Sequence, residues 1–344
     1  MSATKMGVGV VGTGWVSGEH IKAFENNPHT EVRGICSRSL ARARAKIGEM
    51  NLPAAQPYDD YDTMLDCPVI HIISLCTPHA QHPAQTIAAA QAGKHLLIEK
   101  PVALSLKDLK AMRDAVRKAR VRTAVCFELR WNLLYVNIKA LLQQKMIGEL
   151  FYGEVDYFHG IGPWYKQWQW CRTRAMGGSS LLNAGCHAVD GLRWFVGSEP
   201  VEVMSMSATS RRNRLRYEYD PTSVTILKFA NGVLGKVTSS VECIMPYLFN
   251  IRLLGDEGAI RNERFYSKRL PGQKGWASIP TILPDSGDVT HHPYQGEVDH
   301  LVECILTRKE SHVNLEDAVK THEVCFAAEL SAKSGKAVKL PMIG

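Results

Sequence analysis

The first twenty residues limit the possible folds more than any other stretch. The apolar run Met6-Gly7-Val8-Gly9-Val10-Val11 reads as a strand. It feeds Gly12-Thr13-Gly14-Trp15-Val16-Ser17-Gly18 and then a helix over 17–27. Strand, glycine turn and helix N-terminus make an anion site, because free backbone amides and the helix dipole face one point. In a dinucleotide fold the anion held there is a pyrophosphate, against Gly12, Gly14, Trp15 and Val16. The third glycine of G-x-G-x-x-G is Ser17 here, still small enough for close helix–strand packing. A second strand over 31–36 follows, as a βαβ unit requires.

That second strand ends Ile35-Cys36-Ser37-Arg38, with Ser37 where an acid would accept a ribose 2′-hydroxyl. A serine and an arginine suit a 2′-phosphate, and Arg42 lies one helical turn further on. The expected cofactor is therefore NAD(P), leaning to NADP. The other reading has Arg38 stacking on adenine in a protein that accepts both cofactors.

A buried strand over 69–76 runs into Cys76-Thr77-Pro78-His79, and a helix over 80–91 leads to Ala92-Gly93-Lys94-His95-Leu96-Leu97-Ile98-Glu99-Lys100-Pro101. Ligands of open parallel sheets bind outside the carboxyl ends of the strands, which puts Cys76, Thr77, Pro78, Glu99 and Lys100 there. A lysine in that place can act as a general acid or base; the plainer alternative is a surface lysine after an edge strand. His82, in a first helical turn, either faces the cofactor or simply packs. Ser105 reads as the N-cap of a basic helix to residue 119, and a strand over 121–127 closes the sheet. Strand and helix alternate throughout, so the fold is a doubly wound parallel sheet.

Length and composition narrow the rest. At 344 residues the chain has room for two domains. The net charge of +7 is spread rather than blocked, and its densest runs fall on helices or on the loop over 211–216. That is a solvated face rather than a nucleic-acid site. Nine cysteines without a Cys-x-x-Cys point to reduced thiols and a cytoplasmic protein. The longest apolar run, 69–76, is interrupted by His71 and too short for a bilayer, so no membrane partner is expected.

Gly12-x-Gly14-x-x-Ser17-x-x-His20, Cys76-Thr77-Pro78, Ala92-Gly93-Lys94-His95 and Glu99-Lys100-Pro101 together resemble the glucose-fructose oxidoreductase / inositol 2-dehydrogenase (Gfo/Idh/MocA) family. The resemblance runs through the whole chain. It implies an N-terminal Rossmann domain, placed at 1–126, and a C-terminal α/β domain at 127–344. The second has a large, open, mostly antiparallel sheet that often forms an oligomer interface, so a homo-oligomer, dimer or tetramer, is expected. The last helix, over 315–334, would pack back on the first domain. In the family the lysine of Glu-Lys-Pro is catalytic near the nicotinamide, a role carried onto Lys100.

In the second half, Arg130-Trp131-Asn132 follows the last Rossmann strand, and Arg130 is a candidate substrate ligand. A strand over 151–159 ends at His159, also a candidate. Beyond it lies Gly162-Pro163-Trp164-Tyr165-Lys166-Gln167-Trp168-Gln169-Trp170-Cys171-Arg172. These rings beside amides and a guanidinium suit a sugar platform, with Trp164 and Tyr165 as substrate contacts; the alternative is a local hydrophobic cluster. The family's Trp-x-Arg tends to lie near the nicotinamide, which assigns Trp170 and Arg172 to the cofactor. Asn183 and His187 are four apart, on one helical face, and Asp190 is either a partner of the imidazole or a solvent-facing acid. In the related pattern Gly-Gly-x-x-x-Asp-x-Gly-x-His the histidine is the acid/base; here Asn183 replaces the aspartate, and an amide orients a hydroxyl but accepts no proton. A family tyrosine that reaches the substrate corresponds to Tyr294. His291, His292 and His300 lack a completing cysteine or carboxylate, so no metal is expected.

These expectations describe a dehydrogenase acting on a secondary hydroxyl of a sugar, glycoside or cyclic polyol, with C3 of a sugar as the sharper guess. Lys100 and His187 take the proton and steady the oxyanion. The rivals are a glycosidase working through transient oxidation and a non-catalytic dinucleotide-sensing regulator.

Overall fold

The computed structural model describes residues 5–281 and 291–343. Its contacts divide the chain into two compact units, Met1–Glu128 with Pro293–Val319, and Leu129–His292 with Lys320–Gly344.

In the first unit, β1 (Met6–Val11), β2 (Thr30–Cys36), β3 (Gln56–Tyr58), β4 (Ile70–Leu75), β5 (His95–Ile98) and β6 (Thr123–Val125) form one sheet. The order is β3-β2-β1-β4-β5-β6, and every pairing is parallel. This is the Rossmann order. Strands covered on both faces need near-continuous apolar sequence, and Val8, Val10, Ile72, Ile73, Leu96 and Leu97 are wholly buried. The connections carry α1 (Ser17–Asn26), α2 (Leu40–Glu49), α3 (Tyr61–Leu65), α4 (His82–Gln91) and α5 (Leu106–Ala119). Ser39, Asp60 and Ser105 each cap a helix by accepting from a backbone amide three residues on. The helix expected over 80–91 starts as a 3-10 turn, His79–Gln81, and becomes α-helical where Pro83 occupies its first turn.

The second unit is built on a nine-stranded sheet. Its strands are β7 (Leu150–Phe158), β8 (Pro200–Ala208), β9 (Thr222–Phe229), β10 (Leu234–Ser240), β11 (Leu248–Gly255), β12 (Gly258–Arg261), β13 (Arg264–Ser267), β14 (Ala277–Ser278) and β15 (Val338–Lys339). They are ordered β14-β13-β12-β11-β7-β10-β9-β8-β15, and only β7 and β10 pair in parallel. The unit's helices include α6 (Leu133–Gln143), α7 (Trp168–Cys171), α8 (Arg174–Gly177) and α9 (Cys186–Val196), with α9 packed on β7 and β10. The strict in–out alternation of β9 shows one covered face and one open face. Two helices follow: α10 (Tyr294–Thr307) lies against α1, and the unit division crosses α11 (Leu315–Ser334). Among the described residues no helix is long and apolar enough to cross a membrane.

Candidate active site

The first unit supplies a dinucleotide cradle at the end of β1. Gly12 has φ +102°, and a Cβ there would lie 2.5 Å from the Cys76 carbonyl oxygen, so only glycine fits without displacing β4. A Cβ on Gly14 would meet nothing within 4 Å, which leaves the turn open on the side where a pyrophosphate approaches. Among the described residues no side chain caps α1 by a hydrogen bond, and Ser17 donates its hydroxyl to the Gly14 carbonyl at 2.7 Å. Trp15 is half-buried and Val16 buried beside the turn. These features fit an NAD(P) pyrophosphate. At the end of β2, Ser37 donates its amide to Tyr58 at 3.0 Å, while Arg38 and Arg42 are exposed.

The loop after β4 and the end of β5 are tied together by one imidazole. His82 is wholly buried, with Nδ1 2.9 Å from the Pro101 carbonyl and Nε2 2.8 Å from the Thr77 carbonyl. Burial holds its pKa below the ordinary value, against the pull of these two carbonyls. Both ring nitrogens are thus engaged with backbone, which makes His82 the clasp of the Thr77 and Pro101 loops. Pro78 turns the chain between them, and the Thr77 hydroxyl donates to Gln85 at 2.5 Å. Glu99 faces inward: Oε1 lies 3.1 Å from His20 Nε2, and Oε2 accepts from the Lys100 amide at 3.1 Å. The Lys100–Pro101 bond is cis. Tyr294 belongs to this unit, buried with its ring 5.1 Å from His20.

The second unit gathers aromatic and histidine side chains around His187. Asn183 lies in a π-helical turn, Leu181–Gly185, and His187 is the second residue of α9. A π turn is wider than an α turn, and such insertions recur at functional sites. His187 is 3% exposed and stacks on Tyr157 of β7, with centroids 5.9 Å apart and planes at 29°. Edge contacts continue from Tyr157 to His159 and Tyr247, and from His159 to Trp164 and Tyr165. The Asn183 amide donates to the Tyr219 hydroxyl at 3.5 Å, and that hydroxyl donates to the Cys171 carbonyl at 2.8 Å.

The structure overturns the solvent-facing reading of Asp190: at 2% exposure it accepts from Arg130 at 2.8 and 2.5 Å and from Thr321 at 3.3 Å. Arg130 lies 4.8 Å from the Trp194 ring centroid, so its guanidinium is gripped from two sides. Within the Trp-x-Arg, Arg172 stacks on Trp168 at 5.2 Å and donates to the Arg216 carbonyl; Trp170 is half-buried on α7. Tyr157, Tyr219 and Tyr247 escaped the sequence reading. The period of two along β7 would have found Tyr157, since Val155 and Tyr157 share the covered face.

Two family signatures match this chain. Residues 6–127 match the oxidoreductase family with an NAD-binding Rossmann fold, and residues 135–261 match the Gfo/Idh/MocA C-terminal domain. The chain belongs to the Gfo/Idh/MocA oxidoreductase family. It is 27% identical over 341 residues to scyllo-inositol 2-dehydrogenase (NAD(+)) of Bacillus subtilis (strain 168), covering 96% of this chain and 95% of that one. Its fold matches levoglucosan dehydrogenase in complex with NADH and levoglucosan, with TM-score 0.88, 20% identity, and 98% and 100% of the two chains covered. It also matches aldose-aldose oxidoreductase from Caulobacter crescentus complexed with glycerol, with TM-score 0.84, 24% identity, and 98% and 100% coverage. As a member of this family the protein is an oxidoreductase with an NAD-binding Rossmann fold, and its second unit carries a mostly antiparallel sheet.

Proposed function

We propose that this oxidoreductase oxidises a secondary hydroxyl of a sugar, glycoside or cyclic polyol to the ketone, by hydride transfer from the carbon that bears it to NAD(P), with C3 of a pyranose as the favoured carbon. The observation that carries this reading is the buried His187 stacked on Tyr157 in a ring of histidine and aromatic side chains. Ring faces suit the C–H surface of a sugar, while Asn183 and His159 supply polar groups among them. The Bacillus subtilis relative is named for a cyclic polyol, in keeping with that substrate class.

In this reading residues 1–126 serve the dinucleotide and 127–344 the substrate. NAD(P), when bound, supplies the acceptor for the hydride. The His187 imidazole takes the hydroxyl proton on a ring nitrogen, because an imidazole is available as a base near neutral pH. The Lys100 ammonium steadies the negative charge that develops on the oxygen. Asn183 orients the hydroxyl through its amide. Cys76, Thr77, Pro78, Trp170 and Arg172 complete the cofactor contacts, and Arg130 works through Asp190. Arg38 and Arg42, exposed past β2, favour NADP through its 2′-phosphate.

The open face of the second sheet supports a homo-oligomer. Met206, Val224, Ile226 and Leu234 are 73%, 43%, 48% and 47% exposed there. Sedimentation equilibrium of the parent and of Ile226→Lys reads this directly: a dimer or tetramer that the variant dissociates supports it, and a monomeric parent overturns it.

The deciding experiment is a panel of sugars, polyols and glycosides with NAD and NADP, read by reduced-cofactor absorbance and product mass. A product lighter than its substrate by two hydrogens is expected. In single turnover, Lys100→Met and His187→Ala each lose at least ~10²-fold, the usual share of a positioned acid/base, and cofactor binding survives. Near-parental rates in either variant remove that residue from the mechanism.

A further inference from the structure

One rung on the covered face of the second sheet meets both ends of the segment that carries Asn183 and His187. Ser239 of β10 pairs with Ser223 of β9 on one side and with Tyr157 of β7 on the other. The Ser239 hydroxyl donates to the Ser180 carbonyl at 3.1 Å, and the Ser223 and Ser180 hydroxyls lie 3.4 Å apart. Tyr157 carries the stacked ring of His187. Ser180 immediately precedes the π turn and His187 follows it, so the rung grips the turn from before and after. Ser180, Ser223 and Ser239 are 2%, 6% and 0% exposed, so these groups satisfy one another rather than water.

The turn in between needs that support. A π turn closes i→i+5 bonds and is rare, so an α-helix is the conformation that the segment would otherwise take. The choice matters for the site. In a continuous α-helix, positions four apart stand in one row along a face, and the wider turn takes Asn183 out of that row relative to His187. Gly185 supplies the room. A Cβ there would lie 2.6 Å from Ser239 Oγ and 2.7 Å from Ser239 Cβ, so β10 and the turn approach this closely only because residue 185 is glycine.

We propose that Ser239 is a positioning residue for the oxidation: its hydroxyl holds the π turn, and the turn sets where the Asn183 amide stands relative to the His187 imidazole. The proposal rests on the reading in which those two side chains face the substrate hydroxyl. Ser239 acts through them. Its hydroxyl serves the Ser180 carbonyl while the next strand carries Tyr157 against the imidazole, so β10 and β7 fix the two groups in one frame. Without that hydroxyl the Ser180 carbonyl loses a buried donor, and the balance moves towards the α-helical register. Asn183 is then displaced, and a misplacement of about 1 Å in a positioned group can cost ~10²-fold in rate.

The test compares the full-length parent with Ser239→Ala, Asn183→Ala and the double variant. Amide hydrogen exchange, read by mass spectrometry, reports on the turn: Ser239→Ala should exchange faster in the peptides that cover 180–187. Kinetics on the best substrate of the sugar and polyol panel report on the site. Ser239→Ala should lower kcat at least about tenfold and leave the cofactor dissociation constant unchanged. In the Asn183→Ala background the same substitution should cost less than about twofold, because the group it positions is already gone. A purely structural role would give the same fold-loss in both backgrounds. That result, a near-parental kcat in Ser239→Ala, or unchanged exchange over 180–187 overturns the proposal. Should Ser239→Ala fail to fold, Ser239→Cys, whose thiol is a weak donor, carries the same cycle. A parent that oxidises no member of the panel overturns the dehydrogenase reading instead, and the exchange measurement then decides by itself whether Ser239 holds the turn.

Discussion

Arg130 and Asp190, sixty positions apart, form a two-pronged ion pair with side chains 2% and 3% exposed. Asp190 sits one turn beyond His187 on α9, so the pair fixes the helix that presents the imidazole. Removing one partner of a buried pair strands the other charge in the interior, at a cost of about 3–5 kcal/mol. Asp190→Ala should therefore lower unfolding free energy by about that amount in urea. Loss of turnover at unchanged stability would instead mark Asp190 as acting directly in the chemistry.

Cofactor choice rests on the end of β2. Ser37 is partly exposed and its amide is tied to Tyr58, so a larger polar side chain fits there without disturbing the strand. Ser37→Asp adds an acceptor for a 2′-hydroxyl and repels a 2′-phosphate, which should move the NADP/NAD ratio of dissociation constants at least about tenfold towards NAD. Fluorescence titration of both cofactors measures it. A parent that already binds NAD tenfold tighter than NADP overturns the preference proposed for Ser37 and Arg38.

The aromatic loop separates binding from stability unusually well. Trp164 is 62% exposed, and its ring meets those of His159 and Tyr165 edge-on. Trp164→Ala should cost the fold little. It should weaken sugar binding by roughly 1–3 kcal/mol if a ring face is lost, and leave cofactor affinity alone. Equal damage to Tm would place the side chain in a structural cluster.

How much of this was legible beforehand follows from how local each signal is. The strands of the Rossmann sheet announce themselves because burial on both faces demands near-continuous apolar runs such as 70–75, broken at His71 and Ser74. Asn231-Gly232 marks the β9–β10 hairpin because its glycine sits at φ +88°. The dinucleotide turn is readable for the same reason, one glycine being compulsory at Gly12. The partner of Asp190 was not readable, because that pairing joins α9 to residues outside it, and nothing in the helix specifies them. The π turn around Asn183 was equally hidden, since the four-residue spacing to His187 suggests an ordinary α-helical face. Strands of two to four residues, such as β12 to β15, carry too few positions for a period of two to show.

His82 gives the pH dependence. Its folded pKa lies below the ordinary imidazole value of 6.5, with burial as the main cause. As pH falls past 6.5 the unfolded chain takes up the proton first, so native stability present above that pH is lost as pH drops towards the folded value. One such group contributes a slope of at most ~1.4 kcal/mol per pH unit. His95, also lowered by burial, adds slope of the same sign; His20, raised well above 6.5, acts the other way and loses its contribution as pH rises. The informative quantity is therefore the difference between the parent and His82→Gln. Urea unfolding between about pH 7.5 and pH 5.5 should show a clearly shallower acid-side loss in the variant. The variant should also be less stable throughout, because the link from Thr77 to Pro101 is gone. An identical pH slope in both proteins would mean that His82 does not titrate across unfolding and that the acid sensitivity lies elsewhere.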